Sequence, residues 1–105
     1  MTAKYQLTLY ITGQTPRSRQ AIENLYHTCK AMLDGRYEIT IIDVLEHPEL
    51  AEEEKILATP TLIKVSPPPL RRIIGDLSDT EKVFIGLDLQ LNGTFHLPQG
   101  AQKDE

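Results

Sequence analysis

The side chains whose types could do chemistry are few: Cys29, the histidines His27, His47 and His96, the run Glu52-Glu53-Glu54, the hydroxyls Thr15 and Ser18, and the cations Lys64, Arg71 and Arg72. Redox chemistry on a disulfide needs a Cys-x-x-Cys pair, or one cysteine at a helix start where the helix dipole lowers the thiol pKa. Cys29 has no second cysteine to pair with, and it falls mid-helix among apolar residues, so it reads as core packing. The three histidines are far apart, with no second ligand at a helical spacing, so no metal site is expected. No phosphate-cradling or dinucleotide-binding glycine pattern occurs. The glutamate run fits a solvated helix face. Lys64, Arg71 and Arg72 remain. They read either as a solvated strand face or as cations for a partner's carboxylates, which arginine can grip bidentately.

The elements that must position these residues follow from periodicity. In Tyr5–Thr12, Leu7, Leu9 and Ile11 alternate with Gln6, Thr8 and Tyr10, a strand pattern. Gly13-Gln14-Thr15-Pro16 turns into a helix, with Thr15 suited to the N-cap and Pro16 to the first helical position. Thr15 and Ser18 at that helix start could also donate to a glutathione-like anion. The helix is expected to reach Leu33 with Ile22, Leu25, Tyr26, Cys29, Met32 and Leu33 on one face, and Gly35 ends it. Residues 37–45 form a second strand dense enough in Ile39, Ile41, Ile42 and Val44 for a central place. A helix long enough to cross over implies that these two strands are parallel.

His47-Pro48 opens a short helix over 48–57, with Leu50, Ala51, Leu57 and Ala58 turned inward and acid in its first turns. Strands from Thr61 and over 71–75 follow, separated by Pro67-Pro68-Pro69. Pro60 opens the first of these strands, either as a strand-starting proline or as the cis proline that thioredoxin-like folds keep at such a step. Ser78-Asp79-Thr80-Glu81 fits a capping box and predicts a helix. Val83, Ile85, Leu87, Leu89 and Leu91 alternate with other residues and predict a strand. With the helix, the order is βαβαββα, that of thioredoxin-like proteins. Residues 94–105 read as a flexible tail.

At 105 residues the chain makes one domain, 1–93, with one modest core. Its net charge of −4 argues against nucleic acid as a partner. No apolar run approaches a membrane span, and the start of the chain lacks a secretory leader, so a cytoplasmic protein is expected. Acid gathers over Glu46 to Glu54 and base at Lys64, Arg71 and Arg72, a division suited to a charged protein partner.

Leu57-Ala58-Thr59-Pro60-Thr61-Leu62, Pro67-Pro68-Pro69, Arg71 through Asp79, Glu81-Lys82-Val83 and Ile85 through Leu89 together resemble the KaiB family. Upstream, Leu9-Tyr10, Gly13, Thr15-Pro16, Ile42 through Leu45, Pro48 and Leu50 through Glu53 resemble it too, so about residues 5–91 are covered. The N-terminal domain of the SasA kinase is related but less similar over Arg71 to Asp79.

The resemblance implies a non-enzymatic clock component without cofactor or metal. Such a protein binds the CI ring of the KaiC ATPase, and KaiA and a SasA-type kinase engage through that complex. It implies a metamorphic α/β fold: a ground-state βαββααβ form, tetrameric or dimeric when free, and a monomeric thioredoxin-like βαβαββα form that binds KaiC. The switching half would be about 48–93, with Pro60, Pro67, Pro68, Pro69, Gly86 and Asp88 as the positions tied to the change. Lys64 and Arg72 match basic positions used on KaiC, with Arg71 beside them. Gln20 departs from the family, whose clock members usually carry Arg there. An isolated crystallised chain is expected as the ground-state tetramer, because concentration favours assembly. The alternative function is a thioredoxin-fold glutathione-binding module or enzyme without a redox cysteine pair.

Overall fold

A computed structural model describes residues 4–88 of the chain. The expected tail at 94–105, His96, and the last two members of the alternating run, Leu89 and Leu91, lie outside the described residues. The elements are β1 (Tyr5–Ile11), α1 (Pro16–Leu33), β2 (Tyr37–Asp43), α2 (Pro48–Glu53), β3 (Thr61–Ser66), β4 (Arg71–Ile74) and α3 (Thr80–Gly86). This is the βαβαββα order. The ground-state order expected of a crystallised tetramer is not the one this single chain adopts.

The four strands form one sheet in the order β2-β1-β3-β4. β1 pairs in parallel with β2, as the long α1 crossover requires, and antiparallel with β3, which pairs antiparallel with β4. β2 is therefore an edge strand, not a central one as its isoleucines suggest; Ile39 and Ile41 are only partly buried against the core. The buried cluster unites Leu7, Leu9 and Ile11 of β1 and Leu62 of β3 with Leu25, Cys29 and Leu33 of α1 and Val83 of α3. Along α1 the buried stripe is Ser18, Ala21, Leu25, Thr28, Cys29 and Leu33. Tyr26 turns outward, one step off the expected face.

The caps explain where the helices begin. Thr15 Oγ1 accepts the Ser18 amide at 3.0 Å with Pro16 at the first helical position. At α3 the cap is Asp79, whose carboxylate accepts the Lys82 amide at 3.1 Å, one residue later than a Ser78 capping box would place it. Helix capping wins the contest over 80–86, and the period-two alternation there does not produce a strand. α1 ends through Asp34 and Gly35, both in left-handed conformation. α2 stops four residues short of expectation. Lys55 turns left-handed at φ 54° and the Ile56 amide closes back on the Ala51 carbonyl at 2.9 Å. Leu57 is thereby thrown outward, 94% exposed, and Ala58 is exposed with it.

Candidate partner-binding site

Successive strand residues point to opposite faces of a sheet. On β3 and β4, Lys64 lies opposite Arg71, and Ile63 lies opposite Arg72. The three singled-out cations therefore divide between two faces. A register shift between Gln6 and Leu7, which skips Val65, leaves Lys64 paired with Leu7 on the face that carries Leu9 and Leu62. That face is the one packed against α1 and α3.

Lys64 is accordingly inside the protein, 1% exposed. Its Nζ donates to the Asp88 carbonyl oxygen at 3.3 Å, just past the end of α3, and lies 5.9 Å from the centre of the Tyr5 ring. Burial lowers the Lys64 pKa; the Asp88 charge opposes that shift and the Arg71 charge adds to it. An uncompensated buried cation is costly, so the carbonyl and the ring face are what make this placement tenable.

Arg72 stands on the other face at the surface. Its guanidinium donates to the Glu54 carbonyl at 3.2 Å and the Lys55 carbonyl at 3.5 Å, the orphan oxygens past the end of α2. Beneath it Tyr10 is buried, and burial raises its pKa, with the negative charge of Glu54 adding and Arg72 opposing. Arg71 is also exposed, and its hydrogen bond runs only to the carbonyl of its own neighbour Leu70, at 3.5 Å. Arg71 is thus the cation of the three with its guanidinium presented to solvent from an edge strand.

The prolines, and Gly86 and Asp88 expected to take part in a fold change, lie around this hairpin. The Thr59–Pro60, Ser66–Pro67 and Pro68–Pro69 bonds are cis. Beside Pro60, Thr12 and Thr59 share a 2.6 Å hydroxyl–hydroxyl hydrogen bond, at an open cleft of about 220 Å³ lined also by Val44, Ala51, Ile56 and Leu57. Gly86 sits where α3 approaches β4 so closely that a Cβ would lie 2.9 Å from Ile73 Cδ1. Asp88 takes φ 55° after the helix ends.

The corner that would hold a catalytic thiol carries Gly13-Gln14-Thr15-Pro16 instead. The Gly13 amide donates to Asp43 Oδ1 at 3.0 Å, and Thr15 Oγ1 both caps α1 and donates to Ser18 Oγ at 3.1 Å, so its hydroxyl is committed within the chain. Cys29 is buried, and burial pushes its thiol up to about 12. Among the described residues no three His, Cys, Asp or Glu side chains gather as metal ligands. No described helix is long and apolar enough to cross a membrane. Gln20 donates to Asn24 Oδ1 at 3.1 Å, and Asn24 in turn donates to the Asp76 carbonyl at 2.8 Å, tying α1 to the turn after β4. Neither link was visible in the sequence.

A four-stranded sheet of this topology, with helices at both faces, a cis proline before β3 and no cysteine pair, defines a thioredoxin-like protein that lacks the thioredoxin redox centre. Among solved structures it is similar to the N-terminal domain of SasA from Synechococcus elongatus, with a TM-score of 0.70 and 23% identity over 90% of this chain and 92% of that one. It is also similar to mitochondrial thioredoxin 3 of Saccharomyces cerevisiae, with a TM-score of 0.66 and 20% identity over 84% of this chain and 81% of that one. At those identities the likeness concerns the fold. In sequence, the KaiB domain model matches residues 8–89. The chain is 57% identical over 96 residues to the circadian clock protein KaiB3 of Synechocystis sp., covering 91% of this chain and 87% of that one. It is 59% identical over 85 residues to the circadian clock oscillator protein KaiB of Acaryochloris marina, covering 81% of this chain and 82% of that one. The chain belongs to the KaiB family.

Proposed function

We propose that this chain is a regulatory binding protein of a Kai-type clock or stress system, not an enzyme, and that it docks on the CI ring of a KaiC-like ATPase in the arrangement described here. One observation carries the reading: an edge strand, β4, opens with Arg71, exposed and directly opposite a second cation, Lys64. Like charges facing across strands are unfavourable unless an anion lies nearby. The Asp88 charge offsets this at Lys64, and a partner carboxylate supplies an anion for Arg71 in the bidentate geometry that a guanidinium fits. Arg72 adds its charge from the other face of the same hairpin. KaiA and a SasA-type kinase engage through the ATPase complex.

The free protein exchanges with a tetrameric or dimeric βαββααβ form, in which residues 48–93 are rearranged and 94–105 form a tail. Competence then belongs to a minor monomer, and binding to the ATPase ring in ATP is slow and less efficient as the protein's own concentration rises. Arg71→Glu abolishes that binding while the protein stays folded. Arg72→Glu weakens binding and also loosens the end of α2, where it loses two carbonyl partners. Unchanged affinity in Arg71→Glu would sink the assignment.

A further inference from the structure

We propose that Lys64 is a positioning residue: its buried ammonium seats the end of α3 on β3 and thereby fixes the edge from which Arg71 meets an acidic partner. The partner comes from the function just proposed, whereas the seating of α3 stands on geometry alone.

Three observations converge on it. Lys64 has no surface to offer, being 1% exposed and on the core face beside Leu62 and Leu7. Its Nζ reaches the Asp88 carbonyl at 3.3 Å, beyond the C-cap Leu87, where a helix end leaves carbonyls unpaired and favours positive charge. Finally, α3 is docked a second time two residues earlier, where Gly86 lies against Ile73 of β4. Ile73 and Arg71 share a face of β4, as their partners Leu62 and Lys64 share a face of β3. The end of α3 is thus held at one point by each strand of the hairpin, and the Arg71 guanidinium leaves the sheet beside those two points. Removing the Lys64 cation frees one of them without touching any exposed charge.

Hydrogen exchange and partner binding on the full chain test this. Lys64→Met keeps the aliphatic stem and removes the charge. Amides of Val83, Leu87 and Asp88 should then exchange at least tenfold faster, with those of α1 unchanged. Binding to the KaiC ATPase ring in ATP should weaken while its dependence on salt concentration keeps the wild-type slope, because no surface charge has been lost. Arg71→Glu should do the reverse, changing the salt slope without speeding α3 exchange, since the carboxylate it places opposite Lys64 adds an anion beside the buried cation and removes none of its contacts. Lys64→Arg should restore protection of α3.

Wild-type exchange at α3 in Lys64→Met, or a salt slope reduced as in Arg71→Glu, would overturn the proposal. Should Lys64→Met fail to fold, acetic anhydride labelling of the wild-type protein decides: Lys64 should be modified far more slowly than the exposed Lys82, and equal rates would refute it. If Arg71→Glu binds normally while Lys64→Met still loosens α3, the docking assignment fails and the seating of α3 survives.

Discussion

Lys64 and Arg71 are direct partners across β3 and β4, yet the ammonium is enclosed beneath the end of α3 and the guanidinium stands in solvent. Strand pairing puts both side chains on one face; what separates them is depth. β3 is interior to the sheet and β4 is its edge, so the same face is covered by α3 at one residue and open at the other. The pair splits one patch of sequence charge between a buried ammonium at the end of α3 and a guanidinium open to solvent.

Lys64 gives alkaline stability a definite sign. Burial lowers its pKa in the folded chain from the ordinary value of about 10.5. Between the lowered folded value and the unfolded one, the unfolded chain binds more protons, so stability rises with pH across that window. Below the folded pKa both states are charged and the slope vanishes. Tyr10, whose pKa burial raises from its ordinary value of 10.0, acts in the opposite sense from there upward and overlaps the top of the Lys64 window, so the comparison must be with Lys64→Met, which keeps Tyr10. The urea midpoint of the wild type should gain on that of Lys64→Met as pH climbs from neutral toward 10.5. Parallel pH profiles would show that Lys64 is charged and solvated alike in both states.

Gly86 sets two effects against each other. Inside a helix, glycine costs about 1 kcal/mol relative to alanine. An alanine Cβ there would lie 2.9 Å from Ile73 Cδ1 and 3.2 Å from Cγ1, too close without movement, but the nearer atom is the free end of a side chain. Gly86→Ala should therefore stabilise the thioredoxin-like form by less than the full ~1 kcal/mol of helix propensity. In an Ile73→Val background the Cδ1 methyl is gone and only the 3.2 Å Cγ1 contact remains, so the same substitution should recover more of that amount. A double-mutant cycle in urea reads the difference. Strict additivity would mean that α3 does not approach β4 as closely as described.

Much of this was legible in the chain. Alternation placed β1, helical spacing with Thr15-Pro16 placed α1, and the proline break set β3 from β4. The burial of Lys64 was also signalled, because its neighbours Leu62, Ile63 and Val65 are all apolar, as in a strand with little exposed face. Its charge drew attention outward instead. Strand order was not legible: β2 carries the isoleucines of a central strand, but its edge position depends on how β3 pairs with β1, a long-range outcome that no local pattern encodes. The early end of α2 was hidden for a related reason. Lys55 turns left-handed without being a residue type that favours that conformation, in a segment where the Arg72 guanidinium from a distant strand collects the carbonyls left unpaired. The rival signals over 80–88 were resolved by contacts outside the segment, with Ile73 and Lys64 meeting the helix that Asp79 starts.

Cys29 reports on the integrity of that core. It lies on the buried stripe of α1 between Leu25 and Leu33, and burial holds its thiol up to about 12. The reactive species in alkylation is the thiolate, so at pH 8 the folded chain offers neither access nor ionisation. Iodoacetamide should leave Cys29 essentially unmodified in native buffer and label it rapidly in concentrated urea, with intermediate rates tracking the fraction of chains opened. Because α1 packs against the sheet face that also carries Lys64, labelling in Lys64→Met separates a local loosening of α3 from a general one. Slow labelling combined with fast α3 exchange confines the loosening to α3. Fast labelling in both would mean that the end of α3 and the packing of α1 open together, and that Lys64 supports the whole face of the sheet.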